Sequence, residues 1–176
     1  MTSIRTIGLL ALATLPGGVL AGVDLDRTLV AMPAWSKVGA LGWAAFSRHA
    51  DLGPGLVLYP VEALTGATLA LAAAVSHRLD RGSLRVGLPL YAAVALSVLG
   101  LALTVKAAPI MLSTRDMSDP MLLRGAFDAF RHWGDLRGAC QMLAFVAELW
   151  ALAAIGCQQV RTGASSPGPA ARRRRR

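Results

Sequence analysis

The stretch Arg124 to Arg137, RGAFDAFRHWGDLR, runs without a break into Gly138 to Ile155, GACQMLAFVAELWALAAI. The first part is dense in Arg, Asp and His; the second carries one formal charge, Glu148. Asp119-Pro120 precedes both: a capping carboxylate followed by proline at the first helical position. The predicted element is a polar helix that feeds directly into an apolar one of membrane length. Three more apolar segments match it, at about 7–23, 56–75 and 86–105. Each has the ~17–20 residues that cross a ~30 Å hydrocarbon core as a helix. A helix is required because lipid offers no partners to free backbone N–H and C=O groups.

The bulk composition agrees. Of 176 residues, 55% are hydrophobic, and the mean hydropathy is +0.52, too apolar for an ordinary soluble domain of this length. The formal charge is +8, and five of those charges are Arg172 to Arg176. The remaining +3 does not make a nucleic-acid surface, so no nucleic-acid partner is expected. Cys140 and Cys157 lie on one predicted helix, roughly 25 Å apart by helical rise, beyond the reach of a disulfide. They read as small apolar residues.

The predicted fold class is therefore all-α: a four-helix membrane bundle over residues 1–160, with two interfacial helices in its outer loops. The first of these covers Pro33 to Ala50, with Trp35 and Trp43 suited to the membrane–water boundary. The second begins at Pro120 and carries Leu123, Phe127 and Phe130 on one side. Residues 161–176, rich in Ser, Pro, Gly and Ala and ending in five arginines, are expected to be a disordered cytoplasmic tail. The first apolar segment has a second reading, a signal peptide ending near Val19-Leu20-Ala21. Against it, Gly18 and Gly22 form a GxxxG pair suited to helix packing, and the helical pattern continues to Met32.

Orientation follows from lysine and arginine placement. The short basic link His77 to Arg85 and the tail favour that side as cytoplasmic, with both termini inside and the longer links outside. The lipid bilayer of the cell membrane is then the obligatory partner. Many ionisable groups collect at the outer end: Asp24, Asp26 and Arg27, of which Asp24 and Arg27 share a helix face three residues apart; Arg48, His49 and Asp51; Tyr59 and Glu62; and Asp128, Arg131, His132, Asp135 and Arg137. Glu62 lies about two turns into its span, and Glu148 is the deepest carboxylate. A charge at such depth needs a partner or a function. Two expectations compete for the cluster. It lines a ligand cavity, with Asp24, Arg27, His49, Tyr59, Glu62, Trp133 and Glu148 as binding residues, or its members pair off to lock the helices. His49 and His132 come from separate links, but no HxxH or HExxH spacing and no Cys/His cluster supports a metal site. There is no glycine-rich phosphate loop, GxSxG or CxxC, and no cofactor is expected.

Ala21-Gly22-Val23 running into the charged end of the first span, Met32-Pro33, and Phe130-Arg131-His132-Trp133 through Arg137 into Leu143-Ala144-Phe145 together resemble the anthrone-oxygenase-like family of small integral membrane proteins. The resemblance implies a four-helix membrane bundle. In some members it implies oxygenation of polycyclic aromatic anthrones to anthraquinones without an evident cofactor. His132 and Trp133 are the positions most like the family's polar motif. The leading expectation is thus a protein that binds or oxygenates a lipophilic, anthrone-like aromatic at the outer mouth of the bundle. His132 would act as the base, Arg131 or Arg137 would stabilise the enolate, and Asp128 or Asp135 would orient the imidazole. The alternative is a non-catalytic membrane protein or accessory subunit whose charges serve assembly.

Overall fold

The computed structural model of the chain describes residues 3–164. Their order is α1 (Ile4–Asp26), a π turn (Arg27–Ala31), α2 (Met32–Val38), α3 (Ala40–His49), α4 (Gly55–Leu79), α5 (Leu84–Ser113) and α6 (Pro120–Ala164). Of the described residues 89% are helical, and none is in a strand. Four helical stretches are long and apolar enough to cross a membrane: Ile4–Val38, Gly55–Leu79, Leu84–Ser113 and Pro120–Val160. The four expected apolar segments fall one inside each. By length and composition the chain is a multi-pass membrane protein.

The long helices pack in the ring order α1, α4, α5, α6, so α1 lies beside both α4 and α6. Small residues set these approaches. Gly66, Ala70 and Ala74 form the predicted four-residue stripe on α4, and all three are buried. A Cβ on Gly66 would lie 3.6 Å from Pro16 Cγ of α1. On α1 the packing glycines differ from the expected pair. Gly17 faces Glu148 and Gly18 faces Phe145, whereas nothing lies within 4 Å of a Cβ placed on Gly22. Consecutive glycines project about 100° apart, so Gly17 and Gly18 together serve a broad α6 contact, and Gly22 is turned to the outside.

Two apolar cores result. One, near the α4–α5 turn, joins Leu10, Ala73, Val86, Leu90, Ala151 and Ile155. The other lies at the opposite end, here called the head. At ~1.5 Å per residue, α5 and α6 are about 45 and 67 Å long, well beyond a ~30 Å hydrocarbon core. Their overhang packs with α2 and α3 around Trp35, Trp43, Met111, Leu123, Phe127 and Phe130. Trp35 and Trp43 are 8% and 7% exposed. The two tryptophans read from sequence as boundary anchors are core residues of the head, because the overhanging helices supply an apolar surface for them. The Trp35 and Phe127 rings meet at 5.8 Å. The segment from Pro120 is likewise the first part of α6 rather than a separate helix.

Pro33 falls in the first turn of α2, as the sequence suggested, but α2 follows α1 through the π turn without a break. Proline lacks an N–H and crowds the carbonyl four residues earlier. The chain meets both problems by widening into a π turn just ahead of it, with the Met32 N–H bonded to the Arg27 carbonyl. The break comes instead at Gly39, whose φ of 86° lies in the region open to glycine. It divides the expected 33–50 helix into α2 and α3. At the other end α6 continues to Ala164, so the start of the segment expected as a disordered tail is helical. The arginine run falls outside the described residues.

Candidate functional site

A cavity of about 360 Å³ opens between the head ends of α1, α4, α5 and α6. Its walls are mostly aliphatic, among them Leu20, Leu56, Leu64, Leu101 and Leu112. Polar groups enter at a few points only: Asp24, Arg27, Asp51, Tyr59, Thr104, Arg137 and Gln141. Apolar walls with few convergent polar groups, at a volume within the usual ~300–1,000 Å³, are what ligand sites have in common.

Two ion pairs form the polar side. Arg27 binds Asp51 through both guanidinium nitrogens, Nη1 to Oδ1 at 2.8 Å and Nη2 to Oδ2 at 2.9 Å. Ser47, one turn before Asp51 on the end of α3, donates to the same Oδ2 at 2.8 Å. The Arg27 guanidinium carbon lies 4.8 Å from the centroid of the Phe130 ring, a cation–π contact that fixes its plane. Arg137 of α6 donates to Asp24 of α1 at 2.7 Å. Asp24 and Arg27 share a helix face, as three-residue spacing requires, and each is paired with a different element. The π turn begins at Arg27, so the residue that reaches furthest across the head sits where the helix is locally wound wider. Partner side chains in both pairs are 9–18% exposed, so these pairs are screened far less than surface ones.

Of the residues predicted from sequence, Asp24, Arg27, Tyr59 and Arg137 line this cavity. The rest lie elsewhere. His132 and His49 are exposed. His132 stacks edge-on against Trp133 at 5.5 Å, and neither ring is on the cavity wall. Arg131 and Asp135 form a 3.7 Å pair at 49% and 43% exposure, and Asp135 also accepts from Thr28 of the π turn. The reason is rotational: on α6 the cavity-facing positions are Phe130, Arg137 and Gln141, and His132 is turned roughly 200° from Phe130.

Glu148 is a buried carboxylate and Glu62 a half-buried one, both off the cavity, and a buried Oε2 atom of each has no hydrogen-bond partner. Glu148 is 2% exposed, and its Oε2 would be 2.8 Å from a Cβ on Gly17. It packs on α1 at Gly17. Among the described residues, no group of three or more His, Cys, Asp or Glu side chains is arranged to hold a metal ion.

Ser47, Phe130, Thr104 and Gln141 were not singled out as site residues from the sequence. Gln141 was accessible in principle, being one turn beyond Arg137 on the same face. Ser47 stands in the same relation to Asp51. Thr104 had no distinguishing signal; its hydroxyl bonds the Gly100 carbonyl at 3.0 Å, the ordinary arrangement within a helix.

At the opposite end, His77 was passed over as part of a basic link. It is 1% exposed, and its Nε2 lies 3.1 Å from the Ser83 carbonyl oxygen. Beside it, Asp80 accepts from the Ser3 N–H at 3.2 Å and from the Thr6 hydroxyl at 2.9 Å. These hydrogen bonds from Ser3 and Thr6 hold the Asp80 carboxyl below its usual range.

The chain is thus a helical membrane bundle with a polar-edged apolar cavity at its head. Comparison with protein-family models, with curated proteins and with solved structures finds no match.

Proposed function

We propose that this protein binds a lipophilic aromatic small molecule in the head cavity, with the rings among the leucines and a hydroxyl or carbonyl group toward Arg137, Arg27 and Tyr59. The observation that carries this reading is the composition of the cavity wall: aliphatic almost throughout, with two part-buried arginine–carboxylate pairs at one side. An arginine already neutralised by a carboxylate still has N–H groups to spare, and these suit a phenol or quinone oxygen better than a free anion. The anthrone-like ligand class implied by the family resemblance is compatible with such a site.

Binding is better supported than oxygenation. A proton-abstracting step needs a base at the ligand. His132 is exposed and off the cavity, and both carboxylates on the wall are held by arginines. The non-catalytic reading has its own support, since Arg137–Asp24 ties α6 to α1 and Arg27–Asp51 ties the end of α1 to the α3–α4 link. Both termini are assigned to the cytoplasm on the basic α4–α5 turn. Cysteines introduced at Ser83 and Ser113 would then label from opposite sides, Ser83 from within.

The deciding experiment is titration of the detergent-purified protein with a hydroxyanthraquinone, followed by tryptophan quenching and calorimetry. Saturable binding that Ala63→Phe abolishes, with the melting temperature retained, supports the cavity as the site. Equal binding by the parent and the filled variant would remove it.

A further inference from the structure

At the α4–α5 turn, far from the head cavity, a second recess of about 720 Å³ lies between the two helices. Its polar rim is Arg78, Arg81, Ser83 and Tyr91, and its floor includes the buried His77 ring. Away from the rim the walls become aliphatic, with Leu71, Val75 and Val94. Leu71 and Val75 are 52% and 51% exposed, on a helix long and apolar enough to cross a membrane. A basic rim at the end of the bundle continues into an apolar groove directed toward the hydrocarbon.

The turn is built at a cost to keep this rim. The α4 end closes as a Schellman motif: the Gly82 N–H bonds the His77 carbonyl, and the Arg81 N–H bonds the Arg78 carbonyl. Glycine is the usual residue at the left-handed position of that motif. Here it is Arg81, with φ of 49°, the only non-glycine residue of positive φ among those described. A side chain retained in a strained conformation points to a role for the side chain. Two glycines make room for the floor, since a Cβ on Gly87 would lie 3.3 Å from His77 Nε2 and one on Gly82 would enter the ring. The single carboxylate of the turn, Asp80, is engaged with Ser3 and Thr6 of the α1 end. The rim therefore has a positive balance.

We infer that this groove is a binding site for an anionic phospholipid, its phosphate held by Arg78 and Arg81 and one acyl chain lying along the α4–α5 groove. A soluble phosphate would use the rim and leave the apolar wall without purpose; a lipid uses both. Each arginine near such a headgroup contributes about fivefold in affinity.

The test uses the full chain in detergent with equimolar phosphatidylglycerol and phosphatidylcholine, the retained lipid being read by native mass spectrometry. The parent should enrich phosphatidylglycerol, and Arg78→Gln/Arg81→Gln should lower that enrichment by roughly 25-fold. Arg81→Gly relieves the strained φ, so it should keep or raise the melting temperature while reducing enrichment about fivefold. Arg5→Gln, a charge removed at the same end but off the groove, should leave the ratio unchanged. Equal retention of the two lipids by the parent, or an unchanged ratio in both groove variants, overturns the site. An Arg5→Gln loss as large as that of Arg81→Gly would reduce the effect to general surface charge and overturn it too. Displacement of phosphatidylglycerol by millimolar inorganic phosphate would assign the rim to soluble phosphate instead.

Discussion

Arg137 Nη2 and Asp24 Oδ1 stand 2.7 Å apart, joining α6 to α1 at the edge of the head cavity. The contact depends on the next residue. A Cβ on Gly138 would lie 3.2 Å from Asp24 Cβ, so glycine is what lets the two backbones approach. Asp24 is 7% exposed. Arg137→Ala leaves its carboxylate buried without its arginine and is expected to cost about 3–5 kcal/mol. The double variant Asp24→Asn/Arg137→Gln should lose clearly less than the sum of its single substitutions. Thermal denaturation of the four proteins in one detergent measures the coupling. Additive losses would mean that the pair is not formed.

His132→Ala should be almost silent. The ring is exposed, touches Trp133, and is absent from the cavity wall. A surface change of this kind stays within ~0.5 kcal/mol, and hydroxyanthraquinone affinity should not move. Arg27→Ala should behave oppositely, weakening ligand binding at least tenfold and lowering stability by leaving Asp51 with only Ser47. If His132→Ala abolished binding, the cavity would not be the site.

Glu148 gives a sign test. One of its oxygens is buried without a hydrogen-bond partner, and an unsatisfied buried group costs about 1–3 kcal/mol. Glu148→Met, similar in volume and without that group, is expected to raise thermal stability. A fall in the melting temperature would show that the carboxyl has a partner of its own. Gly17→Ala should destabilise, because the new Cβ would come within 2.8 Å of Glu148 Oε2, and Glu148→Ala should rescue it.

Asp80 carries the predicted pH dependence. Hydrogen bonds from Ser3 and Thr6 hold its carboxyl below the 3.8 of the free group. A group depressed in the folded state contributes stability that is complete above its unfolded value and lost as pH falls through the folded one. The attachment of the α1 start to the α4 end should therefore be unchanged from neutral pH to about 4 and weaken only below that. Amide hydrogen exchange across Ser3 to Thr6 follows it, and Asp80→Asn should flatten the acid response.

Hydropathy and length were enough to find four membrane helices, because a ~30 Å apolar slab imposes a count of residues that any sequence must display. The four-residue stripe of Gly66, Ala70 and Ala74 was legible for a similar reason, since helical spacing alone puts them on one face. Asp24 and Arg27 were found together on the same ground. Which partners they take was not in the sequence: Arg137 and Asp51 lie 113 and 24 residues away from them, and only the packing of α1 against α6 and the α3–α4 link brings them near. Nor did local pattern reveal that the ends of α5 and α6 pack with α2 and α3 and so bury Trp35 and Trp43. His132 shows the limit most sharply. Its chemistry and its place in the chain were plain from the sequence, but whether it met a ligand depended on the rotation of α6 about its own axis. That rotation is set by Gly138 packing against Asp24 of α1 and Gln141 against Gly100 of α5, an arrangement that only the tertiary structure decides.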